Sequence, residues 1–397
     1  MNKILITALA TTVVGTTSFA TDSEWLELDR EVAAWNNAPI FQDSTGPNVS
    51  GYIVGALSST DAGNTGGVDT TGTDVRAAAV NIGGTLGHGY EFALGFEFFD
   101  STALYNTTTV SAADGASTVD PTSSSFSSGN AGLTDAYIKF GIGEGVGVKM
   151  GIFGTNTLKS AGIARNHTLF IDRSYLGSMF AGRDAGFAFD GSFNRVNWEI
   201  AVINGRDGSA EELAYSAHLD IDLYGKQSGV EGALGAAEGL AVNLGVTFMT
   251  DNSKTDNRDD FADDATLNNS VVDGQDRDDT TTMFDLNLTS GAWGAFAEMV
   301  SFDNDHSAFG GETSSPYSAG ISYAWSEMYE IGFRYDDYDD AYNTARYVVG
   351  VNRYISGHDL KWQLNFIGGS SDPIPGGTSP TTENDSSAVL LGFAAGF

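Results

Sequence analysis

Leu240-Ala241-Val242-Asn243-Leu244-Gly245-Val246-Thr247-Phe248 alternates without a break. In an extended chain, successive side chains point to opposite faces. Leu240, Val242, Leu244, Val246 and Phe248 therefore share one face, and Ala241, Asn243, Gly245 and Thr247 share the other. The same dyad runs through Tyr90–Phe98, Leu213–Leu223 and Leu360–Phe366. One face needs an apolar medium and the other a polar one. A soluble sandwich also alternates, but with short strands and charged solubilising faces. Here the alternating runs reach about nine to eleven residues, the length that crosses a bilayer at a tilt. Aromatic residues gather at the ends of the apolar rows (Tyr90, Phe98, Tyr317, Trp325, Tyr329, Tyr335), as expected where rings straddle lipid and water. Only a sheet closed on itself leaves no unpaired backbone group in hydrocarbon. The expected fold is all-β: a transmembrane antiparallel up-and-down β-barrel.

Connection lengths alternate as well. Short ones fall at Leu86–Tyr90, Gly143–Gly147, Phe193–Val196, Ser290–Ala292, Ser326–Tyr329 and Ser356–Asp359. Long ones fall at Ser58–Thr73, Asp100–Asn130, Thr155–Gly182, Thr250–Thr280, Phe302–Pro316 and Gly368–Ser386. Short turns at one rim and long loops at the other are the layout of outer-membrane barrels. About 16 strands are expected, beginning near residues 50, 75, 90, 132, 147, 184, 196, 213, 239, 281, 292, 317, 329, 346, 360 and 387. The Gly- and Ala-rich stretch 226–238 makes an unusually long turn at the short-turn rim.

Composition excludes other classes. The chain has 397 residues, 50 Gly, 7 Pro and no Cys, with 19 Lys plus Arg against 52 Asp plus Glu. After position 20 there is no run of about 18 apolar residues, so a polytopic helical membrane protein is excluded. Without thiols there is no disulfide scaffold and no thiolate metal site. A net charge of −33 excludes a nucleic-acid partner, because phosphate backbones require a basic face.

The organisation expected is a signal peptide over 1–20, a helix and linker over 21–48, and the barrel over 49–397. Lys3, the apolar stretch Ile4–Val14 and the small residues before Ala20 form a secretory signal, with cleavage after Ala20. Trp25, Leu28, Val32 and Trp35 recur at helical spacing and predict a short N-terminal amphipathic helix. The chain ends on Val389, Leu391, Phe393, Ala395 and Phe397 in strict alternation, so that a closing strand carries a terminal Phe. This is typical of bacterial outer-membrane barrels, where Phe397 would be read by the barrel assembly machinery. The localisation expected is the outer membrane of a Gram-negative-type bacterium, in contact with lipid and lipopolysaccharide.

Such a barrel is wide enough for an aqueous channel, and something must narrow it. The third long loop, 155–182, mixes Leu158, Ile163, Leu169, Phe170, Ile171, Leu176 and Phe180 with Lys159, Arg165, His167 and Arg173. A loop in bulk solvent has no need of that apolar content, so it is expected to fold into the lumen. With Asp172 its only acid, its net charge is about +2 in an otherwise acidic chain, and like charges gathered at a narrow point set which ions enter. Lys159, Arg165, His167 and Arg173, with Arg183 at the start of the next strand, are the candidate constriction residues. Lys139, Lys149, Arg334, Lys361, Asp220 and Asp222 are candidates for the lumen wall.

Val148-Lys149-Met150-Gly151-Ile152-Phe153, Phe170-Ile171-Asp172-Arg173-Ser174 and Gly182-Arg183-Asp184-Ala185-Gly186 resemble the phosphate-selective porin O and P family. Ala201-Val202-Ile203-Asn204-Gly205, Val349-Gly350-Val351-Asn352 and Leu360-Lys361-Trp362 extend the likeness. It covers about 130–205 and 345–366. The resemblance implies a sixteen-stranded homotrimeric channel passing phosphate or other anions beside lumen arginines and lysines. The inward acids Glu91, Glu97, Asp135, Glu199, Asp220, Asp222, Asp285, Glu298, Glu330 and Asp336 oppose that sign, because a negative field concentrates cations. The expectation is a porin for passive diffusion of ions and small hydrophilic solutes. A phosphate-selective channel and an adhesive or structural barrel with a plugged lumen are the alternatives.

No enzyme, cofactor or metal centre is expected. The five histidines (His88, His167, His218, His306, His358) are scattered, no Gly-x-Ser-x-Gly elbow or P-loop occurs, and Asp303, Asp305 and Glu312 lack the glycine spacing of a calcium loop. The ten Asp of 251–280 read as a solvated surface loop that divalent cations could bridge to neighbouring lipopolysaccharide.

Overall fold

The computed structural model describes residues 47–61, 69–86, 89–100, 132–143, 145–205, 213–236, 239–251, 277–306, 310–339, 343–371 and 384–397. The expected signal peptide, N-terminal helix, His88 and most of the acidic loop 251–280 lie outside the described residues.

Among the described residues, seventeen strands form one antiparallel sheet that closes on itself. In chain order, β1 spans Asn48–Asp61, β2 Thr70–Thr85, β3 Glu91–Asp100, β4 Gly132–Gly143, β5 Val146–Phe153 and β6 Asp184–Phe193. They continue with β7 Val196–Ile203, β8 Ala214–Tyr224, β9 Leu240–Asp251, β10 Arg277–Ser290, β11 Trp293–His306 and β12 Gly310–Ser314. The last five are β13 Tyr317–Ser326, β14 Tyr329–Asp337, β15 Ala345–Ser356, β16 Leu360–Ser371 and β17 Asn384–Gly396.

β12 and β13 are one barrel stave in two pieces. Both pair with β11, β12 along Phe302–His306 and β13 along Trp293–Met299. The break falls at Ser315-Pro316, since proline has no N–H to give a ladder. Its carbonyl still accepts from the Val300 N–H at 3.1 Å. The barrel therefore has sixteen staves, most of them beginning within three residues of where the alternation placed them, with β2, β10 and the divided stave starting earlier, at Thr70, Arg277 and Gly310.

Closure is by β1 and β17, in register from Tyr52↔Gly396 to Asp61↔Ser387. Gly51 and Phe397 exchange both backbone hydrogen bonds at 3.0 Å. A side chain at Gly51 would collide with the Phe397 ring (2.6 Å), so the terminal residue is seated over a glycine.

The two faces separate as the dyad requires. Leu219, Phe248, Phe284, Phe333, Trp362, Phe366 and Leu391 are exposed on the outside. Their inward neighbours His218, Thr247, Asp285, Arg334, Lys361, Asn365 and Leu390 are buried. An outside of large apolar side chains over a polar inside is the inverse of a soluble sheet protein. β2 carries a bulge: the partner of Val54 is Ala77 and that of Gly55 is Val75. Arg76 is the extra residue, and the bulge sends its side chain into the interior, where it is buried.

Candidate functional site in the barrel lumen

The segment between β5 and β6 lies inside the barrel. It forms a short helix α1 (Lys159–Gly162), a 3-10 turn (Arg165–His167) and a helix α2 (Tyr175–Met179). Ser174 caps α2, its hydroxyl accepting from Gly177 N–H at 3.0 Å. The apolar content that predicted an inward fold is spent in two places. Leu169, Phe170 and Ile171 pack on Val54, Ala77, Val348, Ile367, Leu390 and Ala394, an apolar strip of inner wall. Leu158, Ala161 and Leu176 pack on Met283, Val300 and Phe302. Each large side chain buried this way contributes about 1.5–3 kcal/mol.

Three inward glycines shape the strip. A Cβ on Gly332 would stand 2.7 Å from Leu169, one on Gly350 2.9 Å from Phe170, and one on Gly392 2.8 Å from Ile171. Consecutive loop residues thus sit in sockets on β14, β15 and β17. Filling a socket should undock the tip. Gly392→Leu should destabilise the docked loop by about 1–3 kcal/mol and expose 165–173 to limited proteolysis, while Gly72→Leu on β2, a position with open space around it, leaves the loop protected. Equal protection in both variants would refute the sockets.

The wall also satisfies the loop backbone. Asn365 accepts from Ile171 N–H (2.8 Å), Asn352 donates to Leu169 O (2.7 Å), and Lys361 donates to Thr168 O. Glu298 accepts from Ser160 N–H (3.3 Å), and Arg334 donates to Asp172 O (3.0 Å) and to Asp336 (3.0 Å). Tyr175 stacks on Tyr338 with centroids 3.7 Å apart. A loop held by buried hydrogen bonds on both flanks is rigid, because releasing any one of them strands a polar group.

The candidate constriction residues divide into covered and wet. Arg165 lies 3.7 Å from Asp172 and is 4% exposed. Arg173 donates to Ile163 O at 2.6 Å and is buried. Burial alone would raise the Asp172 carboxyl, but Arg76, Arg165, Arg346 and Arg334 outweigh it and hold the group below the usual carboxylate range. The loop's positive charge is therefore turned inward on its own acid and carbonyls rather than presented to water. Lys159 donates to Gln227 (3.1 Å); burial lowers its pKa against the pull of Asp285 and Asp220. The His167 ring meets the His358 ring at 5.2 Å. Burial and then Lys361 lower both, His358 to about 4. Arg183 stays 31% exposed beside Asp135 (3.6 Å).

The wall divides along the same line. On β14 and β16, Arg334 and Lys361 are fully covered. The loop needs donors for its carbonyls, and these two supply them. His218 is also covered, its Nδ1 2.8 Å from Thr247 Oγ1, which in turn donates to Thr157 O. On β4 and β6 the charges remain accessible, whereas Glu199 of β7 is buried. Lys139 pairs with Asp190 at 2.8 Å and is 33% exposed, and Lys149 pairs with Glu199 at 3.1 Å. Asp220 and Asp222 both accept from Asn243 (2.8 and 3.2 Å) at the short-turn end. The lumen is thus filled along β10–β17 and polar and accessible along β3–β6. Sequence reasoning missed Arg76, because a bulge sets its direction, and it missed the sockets, because inward glycines look like any small residue.

A closed barrel of sixteen staves narrowed by an inward third loop is the fold of outer-membrane porins. The anion-selective porin of Comamonas acidovorans superposes with a TM-score of 0.55 and 11% identity, over 89% of this chain and 99% of that one. OprB of Pseudomonas putida at high pH gives 0.54 and 11%, over 89% and 94%. Salmonella typhi OmpF in complex with daunomycin gives 0.53 and 9%, over 88% and 97%. No protein-family model and no curated protein matches the chain.

Proposed function

We propose that the protein is a porin of the outer membrane of a Gram-negative-type bacterium, passing ions and small hydrophilic solutes by diffusion along the β3–β6 side of its lumen. The observation that carries this reading is the asymmetry of burial. The inward charges of β14 and β16 are sealed under the loop, whereas Arg183 and Lys139 keep about a third of their surface in water beside Asp135 and Asp190. Opposite charges in close pairs along one wall make a hydrated path of mixed sign. Weak ion selectivity follows, rather than a phosphate filter, because Arg165 and Arg173 are engaged within the loop. Kinship with the porin O and P family, supported by 130–205 and 345–366, gives the alternative of phosphate passage, and in that case Arg183 and Lys139 are the cations that would guide it.

The same reading places the apolar outer face in lipid, with lipopolysaccharide outside, three copies in a homotrimer, and Phe397 as the assembly signal. It assigns no catalytic step. The signal peptide cleaved after Ala20 delivers the chain, and the N-terminal amphipathic helix and linker over 21–48 precede the barrel. A second reading, a structural or adhesive barrel with a plugged lumen, is favoured by the contacts that seal β10–β17.

Planar-bilayer recording separates the two. A porin shows discrete conductance steps, and in Lys139→Glu/Arg183→Glu the reversal potential under a salt gradient moves towards cations. Addition of phosphate to the wild type tests the selective alternative. A folded protein without steps leaves the plugged barrel.

A further inference from the structure

The described part of the connection between β8 and β9, residues 225–236, does not turn back at the rim. It enters the lumen and meets the loop tip. Gln227 accepts from Lys159 of the loop and donates to the carbonyls of Ala241 (3.2 Å) and Asn287 (3.3 Å). Glu231 grips the tip from both ends: its N–H donates to His167 O (3.1 Å), and its carboxylate accepts from Leu169 N–H (2.8 Å). Beyond it, Ala233 N–H donates to Glu330 (2.6 Å), and the Leu234 carbonyl lies 2.8 Å from His358 Nε2. The connection thus runs from β8 to the inner wall at β14 and to the turn before β16.

Two glycines make that path possible. A Cβ on Gly294 of β11 would stand 2.7 Å from the backbone of Gly232. Gly232 has φ +97°, and its own Cβ would strike Glu330 at 2.7 Å. A couple of residues suffice to join antiparallel strands. The longer connection orders many more, an entropic cost that the rim alone does not require.

We propose that residues 225–236 are a latch, with Glu231 as the positioning residue that holds the tip of the inward loop against β14–β17 and keeps the β3–β6 side open. Asn352 and Lys361 of the wall hold the Leu169 and Thr168 carbonyls, and Glu231 adds the partners for the His167 carbonyl and the Leu169 N–H. Released, the tip swings into the free cross-section. The effect on conductance rests on the porin reading; the contact itself does not.

The experiment uses the full mature chain folded in lipid, with Glu231→Ala, Glu231→Gln and a variant whose residues 226–238 are replaced by Asn-Gly. Amide hydrogen exchange at 167–171 should accelerate about tenfold in Glu231→Ala, the loss of one buried hydrogen bond. Glu231→Gln, which keeps a carbonyl acceptor, should recover most of the protection. Single-channel records of Glu231→Ala should show closures about tenfold more frequent than wild type. Unchanged exchange at 167–171 in both Glu231→Ala and the shortened variant overturns the latch. If Glu231→Ala does not fold, the shortened variant alone decides on the same readout. Faster exchange in a protein that never conducts keeps the latch and removes the porin reading.

Discussion

Replacing residues 160–178 by a short glycine–serine linker raises single-channel conductance about threefold, because a sixteen-stranded barrel without an inward segment encloses a wide aqueous channel. The replacement is geometrically simple. Phe153 at the end of β5 pairs directly with Asp184 at the start of β6, so the segment leaves and rejoins the wall at neighbouring positions. The barrel loses no ladder bonds. Arg334 and Lys361, whose donors serve Asp172 O and Thr168 O, gain water in exchange, as charged groups on a hydrated wall can. Liposome swelling should show solutes excluded by the wild type entering through the variant. Equal conductance and equal size exclusion in the two proteins would place the constriction elsewhere.

Leu219→Arg, midway along β8 on the outer face, lowers the folding free energy by about 2–4 kcal/mol, the cost of a charge near the bilayer midplane, whereas Tyr224→Arg at the strand end costs about 0–1 kcal/mol. Both side chains are exposed (46% and 56%). In a soluble protein neither substitution would matter, and the difference between them arises only from depth in lipid. Urea titration of the protein folded into vesicles measures it. Equal and negligible costs at both positions would mean that the outer face does not contact hydrocarbon.

The staves and their sidedness were legible because alternation is local: Leu219 and His218 are neighbours in sequence and opposites in space whatever else the chain does. The interrupted stave was half legible. Pro316 marks a break, but only pairing with β11 shows that Gly310–Ser314 and Tyr317–Ser326 are one crossing. The inward course of the third loop was legible from Leu169, Phe170 and Ile171, which have no use in bulk water. Its landing place was not. Leu390 and Ala394 are inward apolar residues on the last strand, a signal that the wall there is dry, yet the partner lies more than two hundred residues away in sequence.

Charge was the least legible property. The loop reads as a net positive segment, and a basic constriction follows if its charges face water. Asp172 instead pairs with Arg165 of the loop and Arg76 of the wall, and Arg173 turns to the Ile163 carbonyl. The run 226–238 carried no pattern beyond small residues, and the course of 227–234 through the lumen depends on the space left by Gly294 and on acceptors supplied by distant strands.

Sequence by itself determined which side chains face lipid, how many times the chain crosses, where the sheet closes and which segment must find cover inside. These follow from the period-two geometry of a strand and from the insolubility of leucine, phenylalanine and isoleucine in water. Tertiary structure alone decided which wall the segment covers, which cations are sealed and which stay wet. Those outcomes depend on through-space fit and ion pairing between strands brought together only when the barrel closes.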